Sequence, residues 1–395
     1  MVFRDTALAP LPTIGSGFDS YSRSSSHSTD WQLFLNRPVS PNRLQQRERS
    51  ATDLAGKRVL VTGAGGFIGS ALAKVIAQSD ARLLILLDAS EGALYDIDQR
   101  LSQEENAVPH LSLLASIGDP AAISNLFDQH RPQIVFHAAA FKHVPLMEIN
   151  PFAVVVNNSV GTQVLAEAAA TYGCEQMLMV STDKAVDPVS IMGASKRIAE
   201  LLMLAPRTGR LSTKVVRLGN VLGSSGSVVP LFLRQIAEGG PVTVSHPDVR
   251  RYFMTITETV DALLSAISSS HSPGLLVPNI GDPIRILDLA QYLIGQRTEV
   301  PILFTELRPG DKMSESLISP QEAYQSPDPA TPPGGLRSVH TPVILPQQLS
   351  AAMECLRQAL HQRDLPALLH AIQNMVPEYQ PDPQLATRAH ATVSS

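Results

Sequence analysis

Gly63, Gly66 and Gly69 stand in the run Val61-Thr62-Gly63-Ala64-Gly65-Gly66-Phe67-Ile68-Gly69, between an apolar, β-branched stretch and a helical pattern. This spacing suits a nucleotide pyrophosphate. Gly63 permits a tight turn, Gly66 lets the backbone approach the phosphates, and Gly69 lets the helix pack against the sheet, so the phosphates meet unpaired N–H groups at the helix start. A plain glycine-rich turn would share the glycines but not the preceding strand, the following helix and the acid that ends the next strand. That acid is Asp88, placed to accept hydrogen bonds from the adenosine ribose hydroxyls and to repel a 2′-phosphate. Ala89-Ser90-Glu91 offers no Arg or Lys for such a phosphate, so the expected cofactor is NAD(P), with NAD favoured. Asp119 suits either the adenine amino group or a helix N-cap.

A second group follows the apolar run 177–180: Thr182, Asp183 and Lys184, with Met192 and Lys196 a few residues on. An acid beside an amine at the C-terminal end of a parallel strand sits where ligands meet an open α/β sheet. For Lys184 to act as a base near neutrality it must be partly desolvated or lie near positive charge. Taken alone, an Asp-Lys pair at a strand end reads more readily as a surface ion pair.

The elements that must position these residues are legible as short apolar runs alternating with helical patterns from Lys57 onward, the mark of βαβ units. Strands are expected at 58–62, 83–87, 134–137, 177–180 and 214–218, and helices at 66–78, 162–172 and 195–204. The fold class is therefore α/β, a Rossmann-type doubly wound parallel sheet with a smaller C-terminal substrate lobe. Residues 51–225 form the NAD(P)-binding part and 226–320 the lobe, with helices at 256–268 and 287–295 and possible returns to the sheet. Residues 321–380 hold a loop (320–335) and a pair of helices within 349–375, and 381–395 a tail. Residues 1–50 are expected to be largely disordered, the first thirty above all.

Composition narrows the function classes. A net charge of −5 without a long basic block gives no electrostatic footprint for nucleic acid. The two cysteines, Cys174 and Cys355, make no CxxC or Cys/His cluster, so no metal site or disulfide framework is expected, and a reducing cytoplasm fits. No apolar run is long enough to span a bilayer, and 1–50 lacks the apolar core of a signal peptide.

Taken in order, further motifs make the chain specific. They are Ala138-Ala139-Ala140-Phe141-Lys142-His143-Val144-Pro145 with Glu148 and Asn150-Pro151, Ser181 to Ala185, and Met192-Gly193-Ala194-Ser195-Lys196-Arg197. Beyond these come Arg217-Leu218-Gly219-Asn220-Val221-Leu222-Gly223-Ser224, His246-Pro247-Asp248, Arg251 to Thr255, Leu307-Arg308-Pro309-Gly310-Asp311-Lys312 and Val376-Pro377-Glu378-Tyr379. From about Trp31 to Asp382 the chain resembles the CapD-like nucleotide-sugar 4,6-dehydratases of polysaccharide biosynthesis, extended short-chain dehydrogenase/reductases that act on UDP-N-acetylglucosamine.

The resemblance implies Asp183 as the acid, Lys184 as the base and Thr182 as the hydrogen-bond partner of the carbon 4 oxygen. It implies Lys196 on the nicotinamide ribose, and Ala138, Ala139, Ala140 and Lys142 with Phe67 and Ile68 along the cofactor. Lys142, His143, Asn220, Arg251, Arg308 and Glu315 would meet a UDP-sugar substrate, although each Arg also suits a structural ion pair. Met192 stands where most of the superfamily has Tyr, and a thioether neither gives nor takes a proton at a useful pH. Met313 to Leu317 departs from the family's usual aromatic and paired acids, keeping Glu315. A homo-oligomer is expected. Longer members carry membrane helices before a segment like Trp31 to Pro38, whereas a polar stretch precedes it here, and a soluble protein is expected.

Overall fold

The computed structural model describes residues 30–37, 53–206, 209–269, 274–295, 299–325, 334–342 and 344–393. The stretch 1–50, expected to be largely disordered, lies outside these except for residues 30–37, which hold a short helix. That helix, α1 (Trp31–Leu35), precedes β1 (Arg58–Thr62), α2 (Phe67–Ala77), β2 (Leu83–Asp88), α3 (Glu91–Ser102), β3 (His110–Leu114), α4 (Pro120–His130) and β4 (Ile134–His137). Helices α5 (Val144–Ile149) and α6 (Pro151–Val155) run through a π turn at Val156–Val160 into α7 (Gly161–Thr171), followed by β5 (Gln176–Thr182), α8 (Ile191–Leu204) and β6 (Ser212–Leu218).

The lobe then supplies β7 (Asn220–Val221), α9 (Val228–Ala237), β8 (Val242–Val244), β9 (Arg250–Arg251), β10 (Phe253–Met254) and α10 (Ile256–Ile267). After these come β11 (Gly274–Pro278), β12 (Ile284–Arg285), α11 (Ile286–Ile294), β13 (Ile302–Phe304), β14 (Ala323–Tyr324) and β15 (Leu336–His340). Helices α12 (Pro346–Gln362), α13 (Leu365–Met375) and α14 (Pro383–Val393) complete the described chain.

Nine strands form one sheet in the order β14-β15-β11-β6-β5-β4-β1-β2-β3. From β3 to β11 the neighbours are parallel, and β15 and β14 close one edge antiparallel. Strand order reverses at β1/β4, where a crevice opens at the carboxyl ends of the strands. Strand β4 is buried along its whole length and β1 nearly so, which explains their continuous apolar runs. Helices α2, α3 and α10 pack together, as do α4, α7 and α8, so the sheet is doubly wound.

Helix α8 is buried at every one of its fourteen residues. Its inner side meets β5 and β6, and α13 packs on it as well. Its side chains join those of α5, α6 and α12 to α14 in a second apolar cluster. A third cluster holds the lobe together and includes Leu35 of α1.

Four differences from the sequence reading have physical reasons. The expected tail contains helix α14, because Leu385 and Ala389 find apolar cover in the α8 cluster. The expected loop at 320–335 includes the two-residue strand β14, paired with the unanticipated edge strand β15. Strands β3 and β11 also escape pattern reading. The first is only partly buried and mixed in composition, and the second begins in a short Ser- and Gly-bounded run.

Candidate active site

The glycine turn lies directly after β1. Gly63 has φ +66°, and a Cβ there would lie 2.7 Å from the Ala139 backbone, so both conformation and space demand glycine. Ala139 belongs to Ala138-Ala139-Ala140 after β4, and the Ala138 amide donates to Thr62 O at 3.1 Å. A side chain at Gly69 would strike the Gly63 carbonyl. Gly66 caps α2 without a side-chain bond, Phe67 and Ile68 open the helix, and its first N–H groups face the turn. Asp88 accepts from Gly65 N and Ser90 N, each at 2.9 Å. Thus a hydrogen bond ties the acid to the glycine turn at the carboxyl ends of β1 and β2, the backbone arrangement on which dinucleotides bind. Asp119 is the N-cap of α4, accepting from Ala121 and Ala122 through Oδ1, which realises the cap alternative.

Thr62 and His137 are level with Met179 across the sheet. Thr182 stands three residues further along β5, about 10 Å beyond that level at ~3.3 Å per residue. Strand β5 therefore projects past the glycine turn and carries Thr182, Asp183 and Lys184 at its tip. Asp183 is fully buried. Its Oδ1 accepts from Thr182 Oγ1 at 2.8 Å and from Lys184 Nζ at 3.0 Å, while Oδ2 has no hydrogen-bond partner among the described residues. Lys184 Nζ also donates to Asn220 Oδ1 at 3.1 Å and lies 3.7 Å from Glu315 Oε1. Lys312 Nζ stands 3.5 Å from the other Glu315 oxygen and donates to Val186 O at 2.6 Å.

Opposing influences set the charge state of Lys184. Burial and the charge of Arg251 would lower the Lys184 pKa, but Asp183 and Glu315 outweigh them and hold it above the ordinary lysine value. Without substrate, Lys184 is an ammonium group, not a free base.

Gly193 fixes the approach of α8 to this site. A Cβ there would come within 2.3 Å of Lys184 O, so only glycine lets the helix abut the turn at Asp183–Ala185. Lys196, one turn on, donates to Val180 O at 2.7 Å, and burial brings its pKa down to about 8. Met192 is buried in the apolar cluster shared with α5 and α13.

The other expected substrate residues divide. Asn220, Arg251 and Glu315 join the Lys184 surroundings. Arg251 Nη1 donates to Arg250 O at 2.7 Å. Arg308 is exposed and paired with Asp311 at 2.9 Å, the structural ion pair that its sequence context also allowed. Lys142 and His143 are exposed just before α5, the His143 ring lying against Gly226.

Two features escaped sequence reading. His137 ends β4 with both ring nitrogens bonded, to Thr62 Oγ1 at 2.8 Å and Thr162 Oγ1 at 3.0 Å. Burial first, and Lys196 second, push its pKa down to about 3. The signal was a lone His closing an otherwise apolar strand. Beneath Ser181, Glu200 of α8 is gripped by Arg217 and Arg197 and accepts from Ser181 Oγ at 2.6 Å. The sequence holds Arg217 in an apolar strand but does not show its partners.

A sequence model of the family described as "Polysaccharide biosynthesis protein" matches residues 59–330. The chain belongs to this family. It is 42% identical to the capsular polysaccharide biosynthesis protein CapD of Staphylococcus aureus over 69% of this chain and 48% of that relative, so it spans about half of CapD's length. It is 31% identical to a UDP-glucose 4-epimerase of Rickettsia massiliae over 69% of this chain and 80% of the relative. Among solved structures, Pen from Bacillus thuringiensis superposes with TM-score 0.65 at 27% identity, covering 74% of this chain and 90% of that one. Among the described residues no helix is long and apolar enough to cross a membrane.

Proposed function

We propose that this chain dehydrates a UDP-linked N-acetylhexosamine, UDP-N-acetylglucosamine first among candidates, to a 4-keto-6-deoxy sugar nucleotide with NAD(P), NAD favoured. The observation that carries this reading is the contact of Asp183 with both Thr182 and Lys184 at the tip of β5. A nicotinamide, when bound, takes hydride from carbon 4 and returns it to carbon 6. The chain's own residues handle position and protons. Thr182 orients the carbon 4 oxygen, whose hydroxyl proton leaves to solvent as the hydride departs; Lys184 takes the carbon 5 proton and returns it to carbon 5 once hydride has added at carbon 6, and Asp183 gives a proton to the departing carbon 6 hydroxyl and regains one from solvent. Asp183 and Lys184 together hold one transferable proton, and moving it across their 3.0 Å hydrogen bond turns the ion pair into a neutral acid and a neutral amine. Asp88 and the glycine turn fit a dinucleotide lacking a 2′-phosphate. Lys196 would face the nicotinamide ribose. Asn220 and Arg251 would approach the diphosphate.

Incubating the purified chain with UDP-N-acetylglucosamine and NAD and weighing the product tests the reading. Loss of one water is expected. Recovery of the substrate mass with a new hexosamine configuration would instead establish 4-epimerisation, the reading favoured by the likeness to the Rickettsia epimerase. Epimerisation removes no carbon 5 proton and expels no hydroxyl, so it needs no acid and base working together.

A further inference from the structure

The segment Asp30–Arg37 precedes the dinucleotide fold by some twenty residues, yet it is built into the lobe. Helix α1 places Trp31 and Phe34 against Tyr292, and Phe34 against Phe253, in an aromatic cluster. Tyr292 Oη donates to Asp30 O at 2.7 Å. Beyond the helix Arg37 turns inward, its side chain only 10% exposed.

Arg37 joins three elements. Nε and Nη2 meet the Glu258 carboxylate at 3.1 and 3.2 Å, Nη2 also donates to Phe253 O at 2.9 Å, and Nη1 donates to Ile280 O. Glu258 is itself the capping-box acid of α10, accepting from Thr255 N at 2.8 Å. Phe253 lies in β10, whose only partner among the described residues is β7. These two-residue strands are joined by Asn220 N to Tyr252 O at 2.8 Å and Leu222 N to Met254 O at 2.9 Å. So short a pairing has little stability of its own. It nevertheless carries Asn220, whose side chain accepts from Lys184 Nζ.

We propose that Arg37 is a positioning residue for the acid–amine site. By clamping Phe253 O to the Glu258 carboxylate it fixes β10, β10 fixes β7, and β7 presents Asn220 to Lys184. Geometry favours Arg over Lys here, because a planar fork engages a carboxylate and a carbonyl at once whereas an ammonium does not. Arg37 makes its hydrogen bonds to Glu258, Phe253 and Ile280 and none to the glycine turn, which meets this region only through the packing of α10 on α2. A positioning defect should therefore alter Lys184 far more than dinucleotide affinity.

This inference rests on the proposed function only for its turnover arm. The first measurement needs no activity: the rate at which acetic anhydride modifies Lys184, read by peptide mass spectrometry on the full chain. Arg37→Ala is expected to raise that rate severalfold while changing NAD affinity less than about twofold, and Arg37→Lys to fall between it and the parent. In the turnover assay Arg37→Ala should lower kcat on the order of tenfold, the scale of a sub-ångström misplacement, with a smaller change in KM. Should Arg37→Ala not fold, Arg37→Lys decides by the same two readings. A lowered Tm with Lys184 modification and kcat both as in the parent overturns the proposal and leaves Arg37 a purely structural clamp. If the parent chain forms no 4-keto product, the proposed function falls, and the modification rates still decide the role of Arg37.

Discussion

Replacing Arg217 with Met removes the centre of the buried charge cluster beneath the site while roughly preserving side-chain length. Arg217 is fully buried, with Nε and Nη2 on Glu200 at 2.8 and 2.7 Å and Nη1 and Nη2 on Glu322 at 2.6 and 2.9 Å. Burial alone would raise the Glu200 pKa, but Arg217 and then Arg197 carry it from 4.5 down to about 2, a displacement worth about 3 kcal/mol. Removing one partner of a buried pair costs about 3–5 kcal/mol, because the other charge stays behind. In Arg217→Met two buried carboxylates would share Arg197, which puts the loss at the upper end of that range and the fall in Tm on the order of 10 °C.

The pH dependence provides the sharper reading. In the parent, Glu200 contributes stability that is full above pH 4.5 and lost as pH falls towards 2. In the variant its folded pKa should rise above 4.5, so the contribution changes sign and acidification through that value relieves the strain. Urea unfolding at pH 7 and at pH 5 checks this. The variant's deficit should shrink at the lower pH. A deficit below about 1 kcal/mol at pH 7, or one that grows on acidification, would refute the claim that Arg217 compensates Glu200.

Gly63→Ala forces an L side chain into φ +66° against the Ala139 backbone; NAD affinity by fluorescence titration should drop at least about tenfold, since the turn must shift to relieve the overlap. Glu315→Gln removes a charge that raises the Lys184 pKa, so the basic limb of the kcat/KM profile, where the couple loses its one proton, should move to lower pH, and a limb that stays put would remove Glu315 from the Lys184 balance. His137 should stay neutral throughout pH 5–8, with ring proton shifts constant by NMR. Its folded pKa of about 3 lies below the ordinary 6.5, so the unfolded chain gains a proton that the native ring refuses, and stability declines as pH falls from 6.5 towards 3.

Strands buried on both faces were legible because burial demands unbroken apolar runs: β1, β2, β4 and β5 stand at or within a residue or two of their expected positions. The glycine turn was legible because backbone geometry dictates residue type, as Gly63 shows. What stayed hidden depends on partners distant in sequence. Strand β15 exists because β11 offers it an antiparallel edge, and α14 because α8 leaves apolar surface to cover. The sign of the Lys184 shift was hidden for the same reason. Its sequence neighbours announce one carboxylate, Asp183, but the second, Glu315, arrives from 131 residues away.

That second carboxylate constrains how the couple could reach its reactive form. Lys184 feels Asp183 and Glu315 on one side of the balance and burial and Arg251 on the other. An anionic diphosphate drawn to Arg251 would cancel a charge that lowers the Lys184 pKa, and so would make the amine harder to deprotonate. Diphosphate binding therefore works against the neutral couple, and the opposing push must come from the sugar. A sugar ring seated over Asp183 and Lys184 excludes water from groups that are already mostly buried. Desolvation penalises the ion pair relative to its neutral tautomer, which carries the same total charge. On the proposed reading, the two ends of a UDP-sugar would act on Lys184 with opposite sign. A nucleotide lacking the sugar should leave the amine charged, while the intact substrate should favour proton transfer to Asp183, and this arrangement would keep the base masked until the atom it attacks is in place.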